Sequence, residues 1–336
     1  MNSYSQDKIV NKDNLNEKIK SLMPCDDCED ISIKKFSPIV NEIDLNKLNN
    51  NYKRCSCGKR PLDIIMAHAL KIMIEEEIAP KNGILRRNTP TLLPTVFYSP
   101  NNSQFMGEDS IILIHPDFNQ KIANKLINEI PEVRGVLKGD PRETVGILEK
   151  DSDIKNYELL AGSDLRSDII NTLIKSDNGL NKIIINKKQS VNNIEVGSTT
   201  ETKLLKLYNY LENNEEFKEN HDSLKVIDAT CGVGAISIFL LMYGFSKVVL
   251  NDIYSEAINA TLENLKVNGF NFEKCENNDK IAIGNNFEVY NMAFEDLVNK
   301  FENDEFDLAI IDCFTGVNSS NLENEAQKIA KNVLII

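Results

Sequence analysis

The sequence predicts an α/β chain: a Rossmann-like, doubly wound parallel sheet of about five strands in the last third, preceded by an α+β region. Two observations carry this. First, the short apolar run Val226-Ile227 is followed by Asp228-Ala-Thr-Cys-Gly-Val-Gly234 and then by an apolar helical segment, the order of strand, glycine turn and helix. Second, the stretches 247–250, 287–290, 306–311 and 333–336 read as further short strands, with helical segments up to Gly269 and over 321–332 between them. That is the pattern of parallel strands buried on both faces.

Gly232 and Gly234 let the backbone turn tightly and approach a ligand where a side chain would intrude. Ile236, Phe239, Leu240 and Met242 fill the following helix, which ends at Gly244. The strand from Lys247 stops at Asn251-Asp252, which puts a carboxylate at its carboxyl end, roughly 20 residues after the glycines. In doubly wound sheets an acid there accepts from a ribose hydroxyl pair. A nicotinamide or flavin domain uses the same logic, so the glycine spacing has to decide. Ser237 stands where G-x-G-x-x-G has its third glycine, and an acid precedes the first glycine by four residues, where it repels a diphosphate. A ligand with a cationic amino acid end and a nucleoside end fits better.

Together with Asn264 and Asn268-Gly269 closing the second helix, the stretch resembles the cofactor half of class I S-adenosylmethionine-dependent methyltransferases. The resemblance implies that Asp228, Gly232 and Gly234 line the methionine side and Asp252 the ribose, with Thr230, Ile253, Ala293 and Phe294 completing the cofactor set. Members of this class often place an Asp after the strand at 287–290 to accept from adenine. Here Met292 stands there, leaving Phe294 stacking or Asn291 bonding as substitutes.

The strand at 306–311 delivers Asp312-Cys-Phe-Thr-Gly316 to the crevice. This is neither the N-P-P-Y of amino methyltransferases nor the D-x-P-C-T-G of cytosine-C5 enzymes. It is nearer the D-x-F-x-G of spermidine synthases, which keeps aminopropyl or aminocarboxypropyl transfer open beside methyl transfer, and a non-catalytic cofactor-binding role open beside both. Asp312 is the candidate acceptor or general base, Phe314 a substrate contact, and Cys313 a small residue at a crowded strand end. The class has seven strands and five fit before Ile336, so the strand-five edge is expected to be covered by the N-terminal region, a second copy or a partner chain.

The 336 residues carry a net charge of −13 and 41% apolar content, ordinary for a globular protein with a large core. No stretch approaches the ~18 apolar residues of a membrane helix, and the polar start MNSYSQDKIVNKDN does not read as a signal peptide. A cytoplasmic protein with no membrane association is expected. From Asp222 onward 18 acids face 8 lysines and no arginine, while the seven arginines, Arg54, Arg60, Arg86, Arg87, Arg134, Arg142 and Arg166, all precede residue 167. An anionic acceptor must therefore be held by the N-terminal half, with Arg86 and Arg87 the candidate contacts.

Cys25-x-x-Cys28 and Cys55-x-Cys57, with 26 residues between the pairs, read as a tetrahedral zinc site with Gly58 freeing the backbone beside it. An iron–sulfur site, a reactive thiol or four unrelated cysteines are the alternatives. Arg54 and Arg60 flank the second pair and could make the knuckle an anion-recognising patch.

The expected organisation is an N-terminal arm and Cys-rich segment over 1–60, an α+β substrate-recognition domain over 61–160, a connecting hairpin and helix over 161–221 and the S-adenosylmethionine-binding domain over 222–336. Within these, Pro61 to Ile78 reads as a helix with His68 on its surface or satisfied. Residues 79–109 read as a proline-rich loop, Ile111 to His115 as a strand, and Phe118 to Ile130 as a helix. Gly139 to Glu143 is a turn bearing Arg142 with strand-like flanks at Val136-Leu137 and Val145 to Leu148. A helix is expected over 161–176 opened by Ser163 or Asp164, a strand pair from Lys182–Lys187 and Asn193–Val196, a helix over 199–211, and a polar loop over 271–286. The function this implies is methyl transfer to a macromolecular acceptor, RNA or protein, chosen by an added N-terminal substrate domain as in archaeal RNA and protein methyltransferases.

Overall fold

The C-terminal sheet is laid down by short apolar runs. In the computed structural model, which describes residues 9–99, 104–143, 145, 156–176, 179–195, 197–276, 279–313 and 319–336, these runs become β1 (Lys225–Asp228), β2 (Lys247–Asn251), β5 (Phe287–Tyr290), β6 (Leu308–Ile311) and β7 (Val333–Ile335). Between them stand α1 (Ala235–Tyr243), α2 (Ser255–Val267), α3 (Phe294–Val298) and α4 (Ser320–Ile329). Two further strands, β3 (Phe272–Lys274) and β4 (Lys280–Gly284), complete a seven-stranded sheet of order β3-β4-β5-β2-β1-β6-β7. The five expected strands pair in parallel, and β1 lies between β2 and β6.

The segment 271–286, read as a polar loop, is instead the antiparallel hairpin β3-β4, which joins the sheet beside β5 with a bulge between Lys280 and Ala282. An edge hairpin needs little apolar signal. Ala282 is its fully buried residue, and Phe272 meets the ring of Phe287 edge-on at 6.4 Å. β7 pairs with β6 and is the other edge strand among the described residues.

The described residues form two compact units. One comprises residues 1–145, 155–167 and 188–193, the other 146–154, 168–187 and 194–336. In the second unit the helix Gly197–Glu212 buries Leu204, Leu207 and Leu211 in the core that holds Ile183, Ile185, Ile236 and Val248. The hairpin Leu165–Ser176/Gly179–Lys188 leads into it. Here the expected helix over 161–176 is a strand. Residues 164–170 are buried without exception, Asp164, Arg166, Ser167 and Asp168 included, so period-two alternation is absent and the spacing of Leu165, Ile169 and Leu173 mimics a helix. Its partner is 179–188 rather than 193–196. Asn193 to Glu195 are not in a strand, and Val196 lies outside the described residues.

The asparagines of α2 explain how that hairpin docks. Asn268 accepts from the Ile184 backbone N–H (3.0 Å) and donates to its carbonyl (2.7 Å), and Asn264 accepts from the Asn186 N–H (2.8 Å). Two side-chain amides thus do for the hairpin what a neighbouring strand would.

In the first unit a four-stranded sheet runs Thr91–Pro94, Ile111–His115, Val133–Lys138, Glu158–Gly162, with the helix Gln120–Glu129 between its parallel pair. The helix Leu62–Glu75 is apolar on both sides, with Ile65, Ala69, Ile72 and Met73 in one cluster and Ile64, Ala67 and Leu70 in another. Residues 79–109 are not all loop, since Leu85–Asn88 is a short helix and Thr91–Pro94, Val96–Tyr98 and Phe105–Met106 are strands. The expected strand-like flank at 146–148 lies outside the described residues.

His68 is buried, with no hydrogen bond at Nδ1. Burial, with Arg60 and Lys71 nearby, lowers its pKa to about 4 and keeps it neutral. Among the described residues no helix is long and apolar enough to cross a membrane.

Candidate functional site

Two places gather chemistry, one in each unit. In the first unit the Sγ atoms of Cys25, Cys28, Cys55 and Cys57 all lie within 4.8 Å of one another. Sγ–Sγ distances are 3.8 Å for Cys25–Cys28 and 3.5 Å for both Cys25–Cys55 and Cys28–Cys57. Four thiolates about 2.3 Å from a central zinc stand about 3.8 Å apart, so the set fits one tetrahedral zinc ion. Two close pairs had to meet across 26 residues, and the chain turns them together with Cys28 N–H on Cys25 O (3.1 Å) and Cys55 N–H on Lys59 O (2.8 Å).

The flanking arginines do not make an anion patch. Arg60 is fully buried and grips both oxygens of Glu132, itself fully buried, while Arg54 donates to Glu132 Oε1 at 2.7 Å. A buried guanidinium without its carboxylate would cost several kcal/mol, so this pair is a structural clamp. Arg134 and Arg166 are buried too, and Arg142 is taken by Asp140 at 2.6 Å. That leaves Arg86 and Arg87 exposed, on the helix Leu85–Asn88, with no acidic partner among the described residues.

In the second unit the site is built at the carboxyl ends of β1, β2 and β6, the crevice position of doubly wound sheets. The two glycines divide their work. Gly234 (φ +91°) lies so near α2 that an added Cβ would stand 3.0 Å from Thr261 Cγ2. Gly232 (φ +53°) has nothing within 4 Å of such a Cβ, so open space lies beside the turn. Asp252 braces this turn, with Oδ2 accepting from Gly232 N–H (2.8 Å) and Oδ1 from Tyr254 N–H (2.8 Å). Lone pairs remain on both oxygens for ligand hydroxyls. Asn291 donates to the carbonyls of Asp252 (2.8 Å) and Ile253 (3.1 Å), and Asn251 to those of Ala229 (3.2 Å) and Met292 (3.1 Å), lacing the strand ends together.

Asp228 is fully buried. Oδ2 accepts from Ser237 (2.6 Å), the residue in the third-glycine register, and Oδ1 has no hydrogen-bond partner. Burial raises its pKa to about 7, with Asp312 and Asp252 adding repulsion and Ser237 partly offsetting them. Burial also raises Asp252 and Asp312.

Asp312 is half-buried. Oδ2 meets Lys203 Nζ at 2.8 Å, Lys203 in turn meets Glu195 at 2.6 Å, and Oδ1 is without a partner. Burial pulls the Lys203 ammonium down, but Asp312 and Glu195 outweigh it and hold the charge on. No sequence motif marks Lys203, because its partner is 109 residues away. Thr230 is occupied in the same region, accepting from Asp312 N–H (2.8 Å) and donating to its carbonyl (3.1 Å), which makes it a tie between β1 and β6.

Ile253 is half exposed at the rim beside Asp252, and Ala293 precedes α3. Phe294 corrects an expectation. It packs in the core with Ile227, Ala229 and Leu297 at 3% exposure, so its ring has no free face for stacking, and Asn291's amide nitrogen is already committed. Phe314 lies outside the described residues.

Acidic side chains at these strand ends disfavour a diphosphate and favour a cationic ligand, and the buried Asp228 carries the repulsion of Asp312 and Asp252. S-adenosylmethionine, with a sulfonium, an ammonium and a ribose diol, fits that donor set.

Two outcomes are expected. Purified protein holds one equivalent of zinc by metal analysis, lost in both Cys25→Ser and Cys57→Ser; metal-free folded protein would contradict the knuckle. The second concerns pH. A raised Asp228 pKa means the folded chain keeps a proton the unfolded chain releases, so this group's contribution to stability is full below about 3.8 and lost as pH rises through about 7. Asp228→Asn removes that loss: its melting temperature exceeds wild type at pH 8 and the gap closes by about pH 4. Parallel melting curves across pH would refute the assignment.

Residues 198–307 match the family model described as ribosomal protein L11 methyltransferase (PrmA). Among solved structures, Trm5b from Pyrococcus abyssi is similar at 16% identity and TM-score 0.41, over 73% of this chain and 58% of that one. The tRNA m1G37 methyltransferase of M. jannaschii is similar at 14% and 0.40, over 78% and 62%, and TYW2 of P. horikoshii in complex with MeSAdo at 18% and 0.39, over 78% and 76%. The chain thus spans about three fifths of the length of the first of these. No curated protein matches it. The segment that matches this methyltransferase family covers the glycine turn, Asp252 and β5.

Proposed function

We propose that the protein transfers the methyl group of S-adenosylmethionine to RNA. The observation that carries this is the meeting of Asp228, Asp252 and Asp312 at neighbouring strand ends, beside a glycine turn with open space at Gly232. Bound there, S-adenosylmethionine supplies an electrophilic sulfonium methyl. Asp252 accepts from the ribose hydroxyls, and Ile253 offers adenine an apolar contact. Asp228, beneath the turn, contributes a negative field toward the ammonium and sulfonium without touching solvent.

Methyl transfer needs in-line placement and, for a neutral acceptor, removal of one proton. Asp312 is the candidate for that, with Oδ1 buried and without a hydrogen-bond partner at the end of β6, and Lys203 keeps its carboxyl from drifting higher in pKa.

RNA is favoured as acceptor because Arg86 and Arg87 are exposed and unpaired while the other five arginines are buried or paired with acids or backbone. In a chain of net charge −13, free guanidinium groups are a scarce means of holding phosphate.

The test is transfer of label from methyl-labelled cofactor to total cellular RNA and to total protein. Label in RNA is expected, with S-adenosylhomocysteine as co-product; label confined to protein would overturn the acceptor, and methylthioadenosine would indicate aminopropyl transfer instead. In the same preparation Asp252→Ala weakens cofactor binding by about 1–3 kcal/mol in calorimetry, the cost of leaving buried hydroxyls without an acceptor. Lys203→Met removes the ammonium that partly offsets the raised pKa of Asp312. The acidic limb of the pH–rate profile should therefore move to higher pH, and an unmoved limb would deny Asp312 its role as base.

A further inference from the structure

We infer that the turn carrying Phe36 is a stacking platform for an unpaired base, set among cations that hold the adjoining phosphates of a single-stranded or looped RNA. Phe36 is 71% exposed, more than any other large apolar residue described. It occupies the tip of the turn Lys34–Ser37, closed by Ser37 N–H on Lys34 O at 3.1 Å. Its exposure is not a failure to find a core. Ile33 and Ile39 on either side are buried, in one cluster with Leu85 and Leu70, so the segment is anchored by its other apolar residues and holds Phe36 outward.

The same anchoring ties this turn to the helix that carries the arginines. Arg86 N–H donates to Lys35 O (3.0 Å), Ile39 N–H donates to Gly83 O (2.9 Å), and Pro38 bridges Ile84. The exposed Lys34, Lys35 and Phe36 are thus joined through the backbone to the short helix of the exposed Arg86 and Arg87, about fifty residues on in the chain. The acids among its neighbours are Asp63, which pairs with Lys35 at 3.3 Å, and Glu42, whose carboxylate receives the Lys34 backbone N–H at 3.3 Å. Lys34, Arg86 and Arg87 have no acidic partner among the described residues.

A flat ring in water among free cations matches a ligand with π-faces and phosphates together. Unpaired nucleotides offer both, whereas a duplex keeps its base faces stacked internally. An acidic polypeptide would use the cations and gain nothing from the ring. This inference rests on the reading that the acceptor is RNA and narrows it to unpaired RNA.

The test is fluorescence anisotropy on the full chain, without cofactor, using a labelled oligouridine of about 12 nucleotides, a duplex of equal length and an oligoglutamate peptide. Wild type should prefer the single strand. Phe36→Ala should weaken it about tenfold, the effect of losing one stacked base, and Phe36→Tyr should restore it. The double variant Arg86→Ala, Arg87→Ala should lower the log–log salt slope by about 1.4, since each single-strand phosphate contact contributes about 0.7. Because Phe36 is exposed, the melting temperature of Phe36→Ala should equal wild type. Unchanged single-strand affinity in Phe36→Ala, or equal binding of oligoglutamate, overturns the platform. The two readings fail separately: RNA methylated by wild type and Phe36→Ala alike keeps the acceptor and removes the platform, whereas Phe36-dependent strand binding with label confined to protein does the reverse.

Discussion

Three carboxylates concentrated where β1, β2 and β6 end set the terms for everything around them. Each is raised by its own desolvation, and Asp228 carries the added repulsion of the other two. A sheet designed for stability alone would not place Asp228 wholly out of water with one oxygen unsatisfied. The arrangement is tolerable because the surrounding strand ends are fixed by other bonds, Thr230 to Asp312 on one side and Asn251 and Asn291 on the other. Those bonds hold the acids in place while their charges would push them apart. On the proposed reading a cationic ligand lowers the energy of these acids, which favours an ammonium and sulfonium over a diphosphate.

The parts legible in the sequence were those imposed by backbone geometry or by short-range spacing. The glycine turn could be read because Gly234, at φ +91° and close against Thr261 of α2, has no room for a side chain, and Gly232 keeps the space beside the turn open. Asp252 could be read because a strand of known length must deliver its last residue to the crevice. The cysteines could be read because a tetrahedral ion needs two local pairs, and their meeting within 4.8 Å depends on a fold the pairs themselves help to close. The apolar runs of β1, β2 and β6 were equally plain, since burial on both faces leaves no polar alternation to confuse them.

What the sequence hid was long-range or one-sided. Lys203 and Asp312 are separated by 109 residues and Arg60 and Glu132 by 72, and nothing local distinguishes an arginine destined for a buried carboxylate from one left free for phosphate. Hence Arg54 and Arg60 looked like an anion patch beside the knuckle when they are a clamp. The strand 165–176 passed for a helix because its polar residues are buried along with its apolar ones, which erases the period of two. The hairpin β3-β4 passed for a loop because an edge strand needs one buried face, here little more than Ala282 and Phe272.

The division of charge along the chain bears on how a polyanion could be handled at all. Residues 222–336 hold 18 acids against 8 lysines, and the free guanidinium groups stand at positions 86 and 87. At physiological salt the Debye length is about 8 Å, so the acidic segment repels a strand mainly where the two come close, and attraction at Lys34, Arg86 and Arg87 is equally short in reach. Attraction at the cations is therefore undiminished wherever the strand lies more than about a Debye length from the acids. If Asp312 is the base as proposed, the repulsion that matters is local to the crevice. On the proposed reading the cofactor's positive charges remove part of that repulsion before the acceptor arrives, so electrostatics alone favours an order in which cofactor precedes RNA.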